Sequence, residues 1–131
     1  MKWQLDNSRS IYPQLKEHIK RGIITGEYSA GSSFPTVRDL AQEAGVNRNT
    51  MQRAMAELEA EGLLITNRTA GRTVTTDSEL IEDMRKHIAA EHTEVFLQEM
   101  ASLGYSMQEA LAAVTEKINE KTSDSDKEKG E

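Results

Sequence analysis

Residues 36–62 read TVRDLAQEAGVNRNTMQRAMAELEAEG, and the fold turns on how this stretch divides. Thr36 follows Pro35 and stands three residues before Asp39, the spacing of a capping box with Asp in place of the commoner Glu. A short helix therefore opens at Thr36, turns Val37, Leu40 and Ala41 inward, and stops at Gly45. Asn47 is a good N-cap for a further helix that runs to Gly62, with Met51, Ala54, Met55 and Leu58 along one apolar face. A short helix, a tight turn and a longer helix make the pattern of a helix-turn-helix. Its second helix enters the DNA major groove with its N-terminal residues against base edges.

On a helical wheel of about 100° per residue, the face opposite the apolar stripe carries Asn49, Gln52, Arg53 and Ala56, with Arg48 in the first turn. Arg donates two hydrogen bonds to guanine, and Asn or Gln pairs with adenine. The small Ala56 permits close approach, and the free N–H groups at the helix start favour a phosphate. A solvated face holding the same residue types is the competing reading, and the flanking elements weigh against it.

Upstream, residues 12–26 (YPQLKEHIKRGIITG) predict a first helix. Pro13 suits its opening turn, Gly26 its stop, and Leu15, Ile19, Ile23 and Ile24 form its stripe. Residues 27–35 (EYSAGSSFP) read as a loop. Downstream, LLIT and RTVTT flank residues 67–71 (NRTAG) and predict a β-hairpin. Helices followed by such a hairpin give a winged helix.

These residues bring out a resemblance. The stretch from Ile11 to Leu64, with its opening IYPQL, then ITGEYSAGSSFPT, RDLA, GVNRNT and LEAEGLL, resembles the N-terminal domain of the GntR family of bacterial regulators. The resemblance implies DNA contact by Arg38, in the segment opened by Thr36, and by Arg48, with Thr50 on a phosphate. Gln52 stands where many members carry Arg. The wing departs from the family pattern: Gly71 is kept, but Thr69 replaces the first Gly of the usual tip. Arg68 and Arg72 flank that tip and are expected, with Gly71, to approach phosphate or the minor groove. The expected DNA-binding set is therefore Thr36, Arg38, Arg48, Asn49, Thr50, Gln52, Arg53, Arg68, Gly71 and Arg72.

Charge separates two tasks. Residues 1–76 hold ten Lys and Arg against eight Asp and Glu, while residues 77–131 hold six against fourteen. A long helix is expected from about Thr76 to Leu103, with Ile81, Met84, Ile88, Val95, Phe96 and Met100 on one stripe, then a stop at Gly104. Ser106 and Glu109 form a full capping box for a last helix striped by Leu111, Val114 and Ile118. Two amphipathic helices cannot bury both faces alone, and a second copy offers a closed two-fold solution. Most GntR-like regulators carry a large effector domain after the wing. The short helical remainder here resembles the YtrA subfamily, whose C-terminal part is a small dimerisation unit.

The expected architecture is mainly α with a small β-hairpin. A DNA-binding winged helix-turn-helix spans 1–76, a two-helix dimerisation segment 77–121, and a disordered acidic and polar tail 122–131. Ile81, Met84, Ile88, His92, Val95, Phe96 and Met100 are expected at the dimer interface. A chain ending near Thr76 is expected to stay folded and monomeric. The partners are double-stranded operator DNA and a second copy. The resemblance implies repression, often of transporter operons.

The chain has no Cys, which excludes disulfides, thiolate metal sites and Cys nucleophiles. It has no signal-like N-terminus and no apolar run near the ~20 residues of a membrane span, so a cytoplasmic protein is expected. It shows no Gly-rich cofactor loop and no acid-base set, so neither an enzyme nor a cofactor is expected. His87 and His92 are five apart and do not share a face as an i, i+4 pair would, so no metal is assigned. His18 suggests no role. Two helices leave little room for an effector pocket. The remaining rival is a winged helix that binds protein without touching DNA.

Overall fold

The computed structural model describes residues 2–69 and 71–129, with side chains as far as Asp124. The elements are α1 (Ile11–Thr25), α2 (Val37–Ala44), α3 (Arg48–Ala60), β1 (Leu64–Asn67), β2 (Gly71–Val74), α4 (Ser78–Ser102) and α5 (Met107–Lys129). They fall into two units, one ending at Lys86 and the other beginning at His87.

In the first unit the apolar stripes read from the sequence meet in one core. Leu15, Ile19 and Ile23 of α1, Leu40 and Ala41 of α2, and Met51, Ala54, Met55 and Leu58 of α3 are all buried. Leu63, Leu64 and Val74 close it from the hairpin, and Phe34 from the loop before α2. Phe34 meets Tyr28 edge to face at 5.0 Å. Burying a side chain of this size contributes roughly 1.5–3 kcal/mol, so the three helices and the hairpin depend on one another.

The hairpin pairs β1 and β2 antiparallel, Leu64 opposite Val74 and Asn67 opposite Gly71. Gly71 has φ +71°, a left-handed conformation that L side chains resist, so this tip glycine is required by its backbone. The loop before α2 is more ordered than its composition suggests. Phe34 N–H donates to the Arg72 carbonyl at 2.8 Å, Val74 N–H to Ser32 at 2.9 Å, and Gly31 N–H to Val74 at 2.9 Å. Residues 31–34 thus run beside β2, joined to it by the isolated Ser33–Thr73 bridge.

Three expectations need correction. The first unit does not end at Thr76. Thr75 Oγ1 accepts from Asp77 N–H at 3.0 Å, and Asp77 Oδ1 caps α4 by accepting from Leu80 N–H at 3.1 Å. The first turns of α4 then lay Leu80, Ile81 and Met84 against the winged-helix core. The second correction follows: Ile81 and Met84, expected at a dimer interface, pack inside their own chain. They share a helical stripe with Ile88, which lies in the second unit. The third concerns the tail. Helix α5 continues to Lys129, through residues expected to be disordered, with no Gly or Pro between Met107 and Lys129 to break it. Residues 130 and 131 lie outside the described residues.

The second unit is built by α4 from His87 onward and by α5. Gly104 reverses the chain with φ +88°. The capping box forms in both directions: Ser106 N–H donates to Glu109 Oε1 at 3.1 Å, and Glu109 N–H to Ser106 Oγ at 3.1 Å. Ala110 is buried. Ile88, Phe96 and Met100 are half-buried, whereas His92 and Val95 are exposed. Leu103, Met107 and Leu111 are exposed by 72, 76 and 67%. An open groove of about 420 Å³ runs between the helices, lined by His92, Phe96, Leu97, Met107, Leu111 and Val114 among others. None of the described helices is long and apolar enough to cross a membrane.

Candidate nucleic-acid interface

The start of α3 is set by its flanking turn. Gly45 has φ +72°, and Val46 N–H donates to the Ala41 carbonyl at 3.0 Å, which ends α2 sharply. Asn47 then caps α3, its Oδ1 accepting from Asn49 N–H at 2.7 Å. Thr36 caps α2, its Oγ1 accepting from Asp39 N–H at 3.1 Å. Only this half of the expected box forms among the described residues. Both caps are the groups sequence reading named, and between them they fix where Arg38 and Arg48 stand. Thr36, Arg38, Arg48, Asn49, Gln52 and Arg53 are exposed, and Thr50 is half-buried.

Ion pairing divides the cations of this unit into two sets. Lys16 Nζ lies 2.9 Å from Glu57 and 3.4 Å from Glu61, Lys20 lies 3.5 Å from Glu61, and Arg72 Nε lies 3.6 Å from Glu59. All three acceptors sit near the C-terminal end of α3. Among the described residues, Arg38, Arg48, Arg53 and Arg68 have no carboxylate within ion-pair distance. The N-terminal half of α3, Arg48 to Ala54, carries no acidic residue. Neutralised charge therefore lies at one end of α3 and uncompensated charge at the other, where the helix macrodipole is also positive.

The wing residues separate in the same way. Arg68 and Thr69 are exposed at the tip. Arg72 is drawn inward: its side chain is only 21% exposed, facing Glu59 on α3. At 3.6 Å that contact is longer than a hydrogen bond, and Arg72 Nε and Glu59 Oε1 have no other partner among the described residues. Arg72, expected with Arg68 to approach phosphate or the minor groove, thus faces Glu59 in the free protein. It sits on β2 opposite Thr66, with its side chain facing Glu59 of α3.

Two features escaped sequence reading. Arg53, expected to contact DNA, has its guanidinium carbon 4.1 Å from the centre of the Tyr12 ring. Trp3, in the segment before α1, stacks on His18 at 3.6 Å with 17° between the planes. Burial pushes His18 below its ordinary value, against the opposing pull of Glu27 and Glu43. Burial likewise pushes Tyr28 up, helped by the charges of Glu43 and Glu27. The signal for the Trp3–His18 stack was present only as a lone aromatic near the start of the chain, with no periodicity to place it. Among the described residues, no group of three or more His, Asp or Glu could hold a metal ion.

A winged helix-turn-helix whose recognition helix opens on uncompensated arginines is the arrangement of a DNA-binding domain. Known proteins agree. The family model for bacterial regulatory proteins of the gntR family matches residues 11–74. YhcF of Bacillus subtilis, an uncharacterized HTH-type transcriptional regulator, is 30% identical over 111 residues, covering 85% of this chain and 92% of its own. A GntR family transcriptional regulator from Listeria monocytogenes shares 39% identity and superposes with a TM-score of 0.80, over 86% of this chain and 98% of that one. The HTH-type transcriptional repressor YtrA of Bacillus subtilis is 33% identical over 72 residues, 55% of each chain. The chain belongs to the GntR family.

Proposed function

We propose that this chain is a cytoplasmic homodimeric repressor that binds an inverted-repeat operator, each winged helix taking one half-site. The observation that supports it most is the division of charge along α3: Glu57, Glu59 and Glu61 face Lys16, Lys20 and Arg72, while among the described residues Arg38, Arg48, Arg53 and Arg68 have no carboxylate partner. Arg38 and Arg48 read base edges, since the guanidinium fork suits guanine. Asn49 and Gln52 join them, and Thr36 and Thr50 hold phosphates. Arg68 brings the wing tip, turned by Gly71, to the backbone or minor groove. Arg72 supports that wing from behind.

Dimerisation is assigned to the second unit, where Val95, Leu103, Met107, Leu111 and Ile118 leave apolar surface in water. Ile88, Phe96 and Met100 continue that surface, with His92 beside them. The likeness to the repressor YtrA supports repression, and the family resemblance supports a transporter operon as target. Sites selected from a random duplex pool should be inverted repeats with half-sites about 10 bp apart. Replacing Arg48 or Arg38 with Ala should cost about 1–3 kcal/mol on the selected site and much less on random DNA. Equal losses on both duplexes would reduce these residues to phosphate contacts and overturn the base-reading role.

A further inference from the structure

The Arg53–Tyr12 contact carries a role beyond packing. We infer that Tyr12 is a positioning residue for DNA binding: its ring holds the Arg53 guanidinium at the exposed side of α3, ready for a backbone phosphate. The inference rests on the DNA-binding role proposed above for that side of α3.

Arg53 is exposed, and its guanidinium carbon lies 4.1 Å from the Tyr12 ring centre. No hydrogen bond or ion pair to Arg53 occurs among the described residues. The ring attracts the cation through its face and has no acceptor to occupy the N–H groups. The five donors of the guanidinium stay available for an external oxygen. A phosphate suits them, because it accepts from Arg bidentately.

What competes for Arg53 is Glu57, four residues further along α3 and thus at ion-pairing distance along the helix. Glu57 is already engaged, its Oε2 taking Lys16 Nζ at 2.9 Å. Lys16 Nζ also lies 6.0 Å from the same ring centre. Tyr12 and Lys16, one helical turn apart on α1, therefore act together: Lys16 occupies the carboxylate, and Tyr12 occupies the face of the cation. Among the described residues Arg53 is left charged, oriented and without a carboxylate.

The Tyr12 hydroxyl is buried and has no hydrogen-bond partner among the described residues. It cannot reach DNA, so the contribution belongs to the ring alone. This separates the role from an ordinary tyrosine contact to phosphate, which would need the hydroxyl.

The test is a double-mutant cycle on the full-length protein. Binding is measured to a duplex recovered by selection and to a scrambled duplex of the same length, across a salt series. Tyr12→Phe should bind within about two-fold of wild type, because the ring face is kept. Tyr12→Leu should weaken binding about two- to five-fold. Arg53→Ala should weaken it at least as much, on both duplexes alike, and lower the salt slope by about one. The double variant Tyr12→Leu/Arg53→Ala should be no weaker than Arg53→Ala alone. Additive losses, a folded Tyr12→Leu that binds like wild type, or a Tyr12→Phe as weak as Tyr12→Leu would each overturn the inference. If Tyr12→Leu loses its cooperative melt, NMR of the wild-type protein decides. Upfield ring-current shifts of the Arg53 side-chain protons, kept in Tyr12→Phe, support the inference, and unshifted protons overturn it. Arg48→Ala serves as the control. Undiminished binding there refutes the DNA-binding role of α3, whereas a loss there beside an indifferent Tyr12→Leu refutes only the role of Tyr12.

Discussion

Leu111→Ala offers a clean probe of the second unit. In a single chain the Leu111 side chain is 67% exposed, lining the groove between α4 and α5. Truncating it removes little that a lone protomer relies on, so its thermal stability measured as a monomer should hardly change. In a two-fold dimer the same residue is buried at both ends of the symmetry operation and counts twice. Burying a whole Leu side chain contributes about 1.5–3 kcal/mol, and two thirds of that remains to be gained, giving about 1–2 kcal/mol per copy. Doubled, the loss is about 2–4 kcal/mol, which weakens the dimer about 30- to 1000-fold. Sedimentation equilibrium over a concentration series reads this directly. Operator binding should weaken in parallel and become concentration-dependent, since joined heads gain affinity by making the second contact intramolecular. A dimer constant unchanged by Leu111→Ala, with wild type shown to be dimeric, would refute the placement of this groove in the interface.

Two further outcomes follow from the first unit. A chain ending at Lys86 should melt cooperatively, while one ending at Thr76 should lose about 2–4 kcal/mol, because Leu80, Ile81 and Met84 are half-buried against the core; equal denaturation midpoints for the two would show that α4 adds nothing to the head. His18 has its protonation opposed by burial, so the unfolded chain binds the proton more readily and stability rises with pH. That contribution is complete above the ordinary value of 6.5 and is lost as pH falls below it. Urea midpoints between pH 5 and 7 should show the slope in wild type and lose it in His18→Phe, which keeps a ring against Trp3; a slope unchanged by the substitution would clear His18 of the effect.

The parts of this fold legible in the sequence are those governed by local rules. Thr36, Asn47 and Ser106 cap helices because short polar side chains satisfy the first free N–H groups, and that requirement reads within three residues. The buried faces of α1 and α3 were readable for the same reason, since helical period alone selects Leu15, Ile19, Met51 and Leu58. What escaped was pairing across distance. Residues 31–34 look like loop because a bridge needs a partner, and the partner β2 lies some forty residues on. The stripe on α4 is continuous in sequence, yet only contact tells that Ile81 and Met84 belong to the winged helix. Arg72 read as a wing cation because nothing near it in sequence announces Glu59. The exposure of Arg48, Asn49, Gln52 and Arg53 on α3 was legible from helical period, and the Tyr12 ring beneath Arg53 was not, because α1 meets α3 only in the folded chain.

The bridge between residues 31–34 and β2 has a mechanical consequence. Three hydrogen bonds clamp the segment leading into α2 to the inner strand of the wing. Arg38, on the first turn of α2, and Arg68, at the hairpin tip, both proposed above to meet DNA, would then act as two jaws of one calliper joined through this clamp. In the complex proposed above, a duplex must offer base edges to Arg38 and backbone or minor groove to Arg68 at the matching gauge, or part of this clamp must tear before both jaws close. Base pairs lying between the jaws, touched by neither, would then be selected for how readily they let the groove adopt that width.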